Sequence, residues 1–285
     1  MSEAIMKKAR GEGVEIQLAI WEGEGKPILC IHGLTANSRC WEALAGTLAP
    51  KYRVLAMDLR GRGLSEKPPS GYSVARHAKD VLAVIDDLKL EQAVIMGHSL
   101  GAIIAMAFGA EYPERVDRLI LIDAGGKVSE EQMTKFFAGI KPSLDRLGKV
   151  FPSFEAYVEP LKQVPFNQPW SPALEAYFRY EAEEVEGGVR SRIQPGHIQE
   201  EILNNTLVDV VQFYPKITRP VLILRATEGL LAEDDYLLPT EAAQRMVREM
   251  PNARCVDVEG ANHYTIIFKP NEVRDRAIDD FLSEP

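Results

Sequence analysis

The sequence predicts an α/β protein with a mostly parallel central sheet, helices on both faces of that sheet, and a helical insertion. Short apolar runs alternate with segments of helical period, which is typical of βαβ units and of a parallel sheet buried on both faces. The alternation stops at about Val128, and the chain up to Tyr214 has helical patterns without a strong strand. It then resumes, so the insertion interrupts one domain.

The predicted elements before the insertion begin with an edge strand at Ile16–Trp21. The other strands are Pro27–Ile31, Tyr52–Met57, Gln92–Met96 and Arg118–Ile122, and the helices are Trp41–Leu48, Val74–Leu88 and Ala102–Glu111. Crossovers between parallel strands of one sheet are right-handed.

The insertion is rich in proline and in aromatic residues, most of which we expect to pack its own core. After it the sequence predicts the strand Pro220–Leu224, the helix Thr240–Glu249, the strand Arg254–Val258 and the helix Glu272–Leu282. We therefore expect a core domain formed by residues 1–127 and 215–285, with residues 128–214 as a helical cap.

Charge and cysteine content limit the functions that this 285-residue chain can have. Its formal net charge of -9 argues against nucleic acid and against anionic membranes as partners. The three cysteines are odd in number and lack CxxC spacing, so a disulfide framework is not expected and a reduced, cytoplasmic setting fits. No apolar segment approaches the ~18 residues of a membrane span, and the N-terminus does not resemble a secretory signal.

The segment Gly97–Gly101 (GHSLG) carries the strongest functional signal. It is a G-x-S-x-G pattern directly after a predicted strand and directly before a predicted helix, which is the context of a nucleophile elbow. Such a turn is strained, so small residues must flank the serine. The dipole of the following helix points its positive end at the serine oxygen. Ser99 is therefore the candidate nucleophile.

With this motif the sequence resembles the α/β-hydrolase fold family, over nearly the whole chain apart from the insertion. The resemblance implies an oxyanion hole made by the backbone N–H groups of Leu34, in the segment His32–Thr35 (HGLT), and of Leu100. We expect His32 itself to be structural. The segment 58–65 (DLRGRGLS) matches a structural loop of the family, in which we expect Asp58 and Arg60 to pair.

The family's catalytic histidine lies in a G-x-x-H segment near the C-terminus, which Gly260–His263 (GANH) matches. It also has the position that the order Ser, acid, His requires. His263 is therefore the candidate general base.

The acid is less clearly marked by the sequence. The family usually places it after the strand that follows the insertion, with a proline four positions later. Counting back from Pro239 selects Asp235, our preferred acid. Glu228 and Asp234 in the same loop remain alternatives. Asp123, at the end of an earlier strand, is another, because some family members place the acid there.

These residues together predict a serine hydrolase that works through an acyl-enzyme, without a metal or an organic cofactor. Serine at the elbow disfavours the dehalogenase and epoxide-hydrolase branches, which have aspartate there. The aromatic insertion suggests a small, apolar or aromatic carboxylic ester or lactone as substrate, hence a carboxylesterase or lactonase. The alternatives are a ligand receptor that keeps the triad, C–C or amide hydrolysis, and a cofactor-free lyase or oxygenase.

Overall fold

An eight-stranded sheet forms the centre of the computed structural model, which describes residues 3–49 and 51–284. The strands of the chain are β1 (Ile5–Arg10), β2 (Glu15–Trp21), β3 (Pro27–Ile31), β4 (Arg53–Met57), β5 (Ala93–His98), β6 (Val116–Ile122), β7 (Ala182–Val185), β8 (Gly188–Ser191), β9 (Val221–Ala226) and β10 (Ala253–Val258). The order in the sheet is β1-β2-β4-β3-β5-β6-β9-β10. Only the pairs β1–β2 and β2–β4 are antiparallel among these neighbours, so the predicted fold class is confirmed.

Helices cover both faces of the sheet. They are α1 (Glu42–Leu48), α2 (Val74–Asp87), α3 (Leu100–Glu111), α4 (Glu130–Gly139), α5 (Lys141–Asp145), α6 (Phe154–Lys162), α7 (Pro172–Glu181), α8 (Pro195–Asn205), α9 (Thr240–Glu249), α10 (Thr265–Phe268) and α11 (Glu272–Ser283). Helices α2, α3 and α9 share one apolar core with one face of the sheet, and α1, α10 and α11 share a second core with the other face.

The two cores follow from the alternation of side chains along each strand. In β3, Leu29 and Ile31 enter the first core, whereas Ile28 and Cys30 enter the second. All four are fully buried. Burying an aliphatic side chain of this size stabilises the fold by about 1.5–3 kcal/mol. The segments that form the central strands are apolar throughout because helices cover both faces of the sheet.

Strand β1 is the strand of the central sheet that the sequence does not predict. It pairs antiparallel with β2 and so takes the edge position that we expect for Ile16–Trp21. Five of its six residues are exposed. An edge strand with little buried surface needs no run of apolar residues, so the sequence pattern does not indicate β1.

Between β6 and β9 the chain adds no strand to the central sheet. It forms the helices α4–α8 and a separate two-stranded ribbon, in which β7 and β8 pair antiparallel. The sequence predicts no strand here. The ribbon strands are short, polar in part and joined by a turn in which Gly187 has a φ of 87°. Within the described residues, no helix combines the length and the apolar character that crossing a membrane requires.

The loop after β4 is bonded to both the core and the insertion. The Asp58 carboxylate accepts hydrogen bonds from the Ser38 N–H at 2.7 Å and from the Tyr180 hydroxyl of α7 at 2.6 Å. Arg60 pairs with Asp80 of α2 at 2.6 Å. The expected pairing of Asp58 with Arg60 is therefore wrong, because each side chain has a closer partner on another element.

Candidate active site

Ser99 occupies a sharp turn between β5 and α3. Its φ of 58° and ψ of -122° lie in a region that non-glycine residues rarely adopt. A Cβ on Gly97 would lie 2.1 Å from the Gly101 oxygen, and a Cβ on Gly101 would lie 2.0 Å from the Ile31 oxygen. Both flanking positions therefore require glycine, as the motif predicts for a nucleophile elbow.

His263 is held by a buried carboxylate. Its Nδ1 lies 2.8 Å from Oδ2 of Asp123. The other Asp123 oxygen accepts the Ala226 N–H at 2.9 Å, and the Asp123 N–H donates to the Leu224 oxygen at 2.7 Å. Asp123 is thus fixed between the carboxyl ends of β6 and β9. A carboxylate at Nδ1 selects the tautomer whose Nε2 is free to accept a proton.

The expectation that Asp235 holds His263 is wrong. Asp235 is buried, but its carboxylate accepts hydrogen bonds from backbone N–H groups of its own loop, those of Leu230, of Leu231 at 2.9 Å and of Ala232 at 3.2 Å. Its two oxygens are therefore committed to closing a turn. The spacing of Asp235 to Pro239 reflects this turn and not a contact with the histidine.

The two other candidate acids of that loop, Asp234 and Glu228, are exposed, whereas His263 is buried. Asp234 pairs with Lys135 of α4 at 2.6 Å. Asp123, which the sequence leaves as an alternative, is the carboxylate beside His263. One signal in the sequence was available, since Asp123 directly follows the apolar run of β6. In the structure, Ile122 at the end of that strand lies in register with His98 of the nucleophile strand.

The backbone around Leu34 is held beside Ser99. A Cβ on Gly33 would lie 3.4 Å from the Ser99 Oγ, so this loop passes directly by the nucleophile. The Leu59 N–H donates to Nε2 of His32 at 3.0 Å, so the ring proton is on Nδ1, which donates to the Gly33 oxygen at 2.7 Å. The C=O and N–H of a trans peptide point in opposite directions, so this bond also fixes the direction of the Leu34 N–H.

Two further histidines support this arrangement as neutral rings. Burial lowers the pKa of His32 to about 3, so it keeps the tautomer described above. Burial and the neighbouring His263 hold the pKa of His98 well below its usual range. Nε2 of His98 donates to the backbone oxygen of His263 at 2.8 Å, with the two rings 4.6 Å apart. The x residue of the G-x-S-x-G motif thus positions the backbone of the candidate base.

A cavity of about 780 Å³ opens in front of Ser99 and His263, between the core and the insertion. Leu34 and Leu100 lie in its wall. Apolar side chains from both parts of the chain form much of the rest, among them Ile103, Met133, Phe136, Phe137, Ile140 and Leu237. Phe136 of α4 packs edge-on against the His263 ring, 5.0 Å away. The insertion therefore supplies part of the surface that a substrate would contact.

The charged side chains of this wall are few. They are Lys127, Glu130 and Asp209, and Lys127 Nζ lies 3.4 Å from the Asp209 carboxylate. Within the ranges that the structure describes, no three His, Cys, Asp or Glu side chains come together as metal ligands would. The wall of the cavity is therefore mostly apolar, with Ser99 and His263 at its surface.

Comparison with known proteins gives consistent matches. A family profile for the alpha/beta hydrolase fold matches residues 26–270. A 2-(acetamidomethylene)succinate hydrolase of Mesorhizobium japonicum is 30% identical over 263 residues, which cover 92% of this chain and 89% of that protein.

Solved structures agree with these matches. The crystal structure of an E-2-(acetamidomethylene)succinate hydrolase superposes with a TM-score of 0.85 at 26% identity, over 99% of this chain and 100% of the other. An enol-lactonase from Burkholderia xenovorans LB400 superposes with a TM-score of 0.72 at 22% identity, over 98% of this chain and 100% of the other. At that lower identity the likeness concerns the fold alone.

Proposed function

Because this chain belongs to the α/β-hydrolase fold family, we propose that it is a serine hydrolase that cleaves a small, uncharged carboxylic ester or lactone through an acyl-enzyme on Ser99. The apolar or aromatic part of the substrate would lie in the cavity between core and insertion. The observation that carries the proposal is that Ser99 and His263 both line that cavity, while Asp123 holds the His263 ring from behind the wall at 2.8 Å.

The proposed reaction has two halves, formation and hydrolysis of the acyl-enzyme, and the same catalytic groups act in both. Nε2 of His263 accepts the proton of the Ser99 hydroxyl as its oxygen attacks the acyl carbon, and Asp123 stabilises the imidazolium that forms. The N–H groups of Leu34 and Leu100 donate to the developing oxyanion. The leaving alkoxide takes the proton from His263. Water then loses a proton to His263 and attacks the acyl carbon. As the acid is released, His263 returns that proton to the Ser99 oxygen, which restores the free enzyme.

The charge of the cavity wall supports an uncharged substrate. The relative at 30% identity is named for a succinate, which is a dicarboxylate. Here the one lysine that the described residues place in the wall, Lys127, is already paired with Asp209, and the third charged side chain, Glu130, is itself acidic. A substrate carboxylate entering this cavity would need a cationic partner, since an unpaired buried charge is costly. We therefore assign this chain a neutral acyl group.

Two matched esters test both parts of the proposal. p-Nitrophenyl butyrate and the mono-p-nitrophenyl ester of succinate have similar size, but the second carries a terminal carboxylate. We expect kcat/KM at least ten times higher for the butyrate. A preference for the succinate ester would contradict the uncharged substrate while leaving the serine mechanism intact. A single slow turnover with a raised Tm would instead favour a ligand receptor.

Ser99→Ala should fold with an unchanged Tm and lose roughly 10⁴- to 10⁶-fold in kcat, as when a triad nucleophile is removed. A fluorophosphonate should label the wild-type protein at Ser99 and leave the variant unlabelled, which intact-mass and peptide mapping would measure. Retention of a tenth of the wild-type rate by Ser99→Ala would exclude the acyl-enzyme.

A further inference from the structure

Arg62 connects the insertion to the backbone beside the nucleophile. Its Nε donates to the backbone oxygen of Leu34 at 3.1 Å, and its Nη1 donates to that of Arg60 at 3.1 Å. Its Nη2 donates to the Glu201 carboxylate at 2.9 Å. Glu201 belongs to α8, in the insertion. One guanidinium thus joins a helix of the insertion to the residue whose N–H faces the proposed oxyanion.

The position of Arg62 depends on Glu201 because both side chains are fully buried. Removing a guanidinium from water is favourable only where an anion and hydrogen-bond acceptors replace that water. Glu201 supplies the anion, and its Oε2 also lies 2.7 Å from Nε2 of His77 in α2. The planar fork of arginine is needed, since a lysine ammonium cannot reach three acceptors in these fixed directions.

Arg62 completes the restraint of the loop that carries Leu34. The peptide before Leu34 is held through the Gly33 oxygen by His32. The peptide after Leu34 is held through the Leu34 oxygen by Arg62. Together the two bonds leave the backbone of Leu34 little freedom to rotate.

We propose that Arg62 is a positioning residue of the oxyanion hole and that Glu201 fixes it from the insertion, so that the hole is complete only when α8 is seated on the core. This inference rests on the proposed function, in which the Leu34 N–H is a donor to the oxyanion. It couples the segment that shapes the substrate cavity to the group that stabilises the transition state.

Two substitutions test the coupling. Arg62→Lys keeps the charge and loses the fork, and Glu201→Gln keeps the shape and loses the charge. The matched control is Glu181→Gln. Glu181 forms another buried pair, with Arg146 at 2.7 Å, but that pair lies within the insertion. All three should lower the Tm, so stability alone does not separate the test variants from the control.

Oxyanion binding separates them. We expect Arg62→Lys and Glu201→Gln to lower kcat for p-nitrophenyl butyrate by about 10- to 100-fold with KM within threefold, which is less than complete loss of one donor. Affinity for a phenylethyl trifluoromethyl ketone, which forms an oxyanion on Ser99, should fall by the same factor. Affinity for the corresponding methyl ketone should stay within threefold. Glu181→Gln should keep the wild-type kcat and both affinities within threefold.

Several results would overturn the inference. One is a folded Arg62→Lys or Glu201→Gln protein with wild-type kcat. Another is an equal fall in affinity for the trifluoromethyl ketone and for the methyl ketone. If Arg62→Lys does not fold, Glu201→Gln decides the question alone. A wild-type protein that neither turns over esters nor takes the fluorophosphonate label would overturn the proposed function itself, whereas an active wild type with unaffected variants overturns only the role of Arg62.

Discussion

Asp123 has one carboxylate oxygen for the His263 ring and one for a backbone N–H, so the side chain cannot rotate without losing a buried hydrogen bond. Its backbone has a φ of 50°, which is unusual for a residue with a Cβ. Strained backbone persists where the surrounding structure fixes it, often at functional sites. Here the ends of β6 and β9 fix it, and the result is a carboxylate aimed rigidly at the imidazole.

Exchanging aspartate for asparagine at two positions separates the proposed acid from the residue that the sequence favours. Asp123→Asn should lower kcat by about 10⁴-fold, because the amide favours the wrong imidazole tautomer. Asp235→Asn should lower kcat by less than tenfold. Its cost is to stability, about 1–3 kcal/mol, because buried N–H groups lose an acceptor. Steady-state kinetics and thermal denaturation measure both, and a large kcat loss confined to Asp235→Asn would return the acid to the later loop.

The difference between these two aspartates shows what the sequence can and cannot give. Ser99 can be predicted because its strand, turn and helix are contiguous, and His263 because a G-x-x-H segment follows a late strand. The acid depends on which strand end faces the histidine, which is a tertiary property. Asp235 alone had the expected spacing to a following proline, and the structure pairs His263 with Asp123 instead. The pairing of Arg62 with Glu201 is equally invisible, since 139 positions separate them.

At the scale of elements, the elbow depends on three segments that meet closely. At Gly97 and Gly101 the end of β5 approaches the first turn of α3 and the end of β3. Any side chain there would meet backbone atoms, which cannot rotate away. The nucleophile is therefore positioned by the packing of the sheet against α3 and not by its own contacts alone.

Gly101→Ala should prevent normal folding of the elbow, because the added Cβ would lie 2.0 Å from a backbone oxygen of β3. We expect a large fall in Tm and loss of fluorophosphonate labelling. Gly196→Ala in α8 is the control, since an added Cβ there meets nothing within 4 Å. It should raise stability by about 0.4–1 kcal/mol. A Gly101→Ala protein that melts and labels like wild type would contradict the packing described here.

At the scale of the whole molecule, the insertion is joined to the core by buried polar contacts as well as by apolar ones. Tyr180 reaches Asp58, and Glu201 reaches Arg62 and His77. All three core residues lie in or beside the loop that follows β4. Protonation of one of these carboxylates at low pH should therefore weaken the attachment of the insertion to the core.

Glu201 gives this expectation a pH range. Burial alone would raise its pKa, but His77 and Arg62 lower it from an ordinary value of 4.5 to about 2. A carboxyl whose pKa is lower in the folded state stabilises the protein above its unfolded pKa, and that stabilisation is lost as the pH falls through the folded pKa. The difference in unfolding free energy between wild type and Glu201→Gln should therefore shrink between about pH 5 and pH 2. Denaturant titrations at several pH values measure it, and a constant difference would contradict the ion pair.

The position of Asp123 has a consequence for how this protein can change. Ser99 and Asp123 both precede the insertion and directly follow two adjacent strands, and His263 follows β10, so the loop between β9 and α9 carries no member of the proposed triad. Surface loops tolerate changes of length at little entropic cost. This loop also contributes Leu237 to the cavity wall. The exposed residues 231–234 of this loop can therefore change in sequence or number while every member of the proposed triad stays in place.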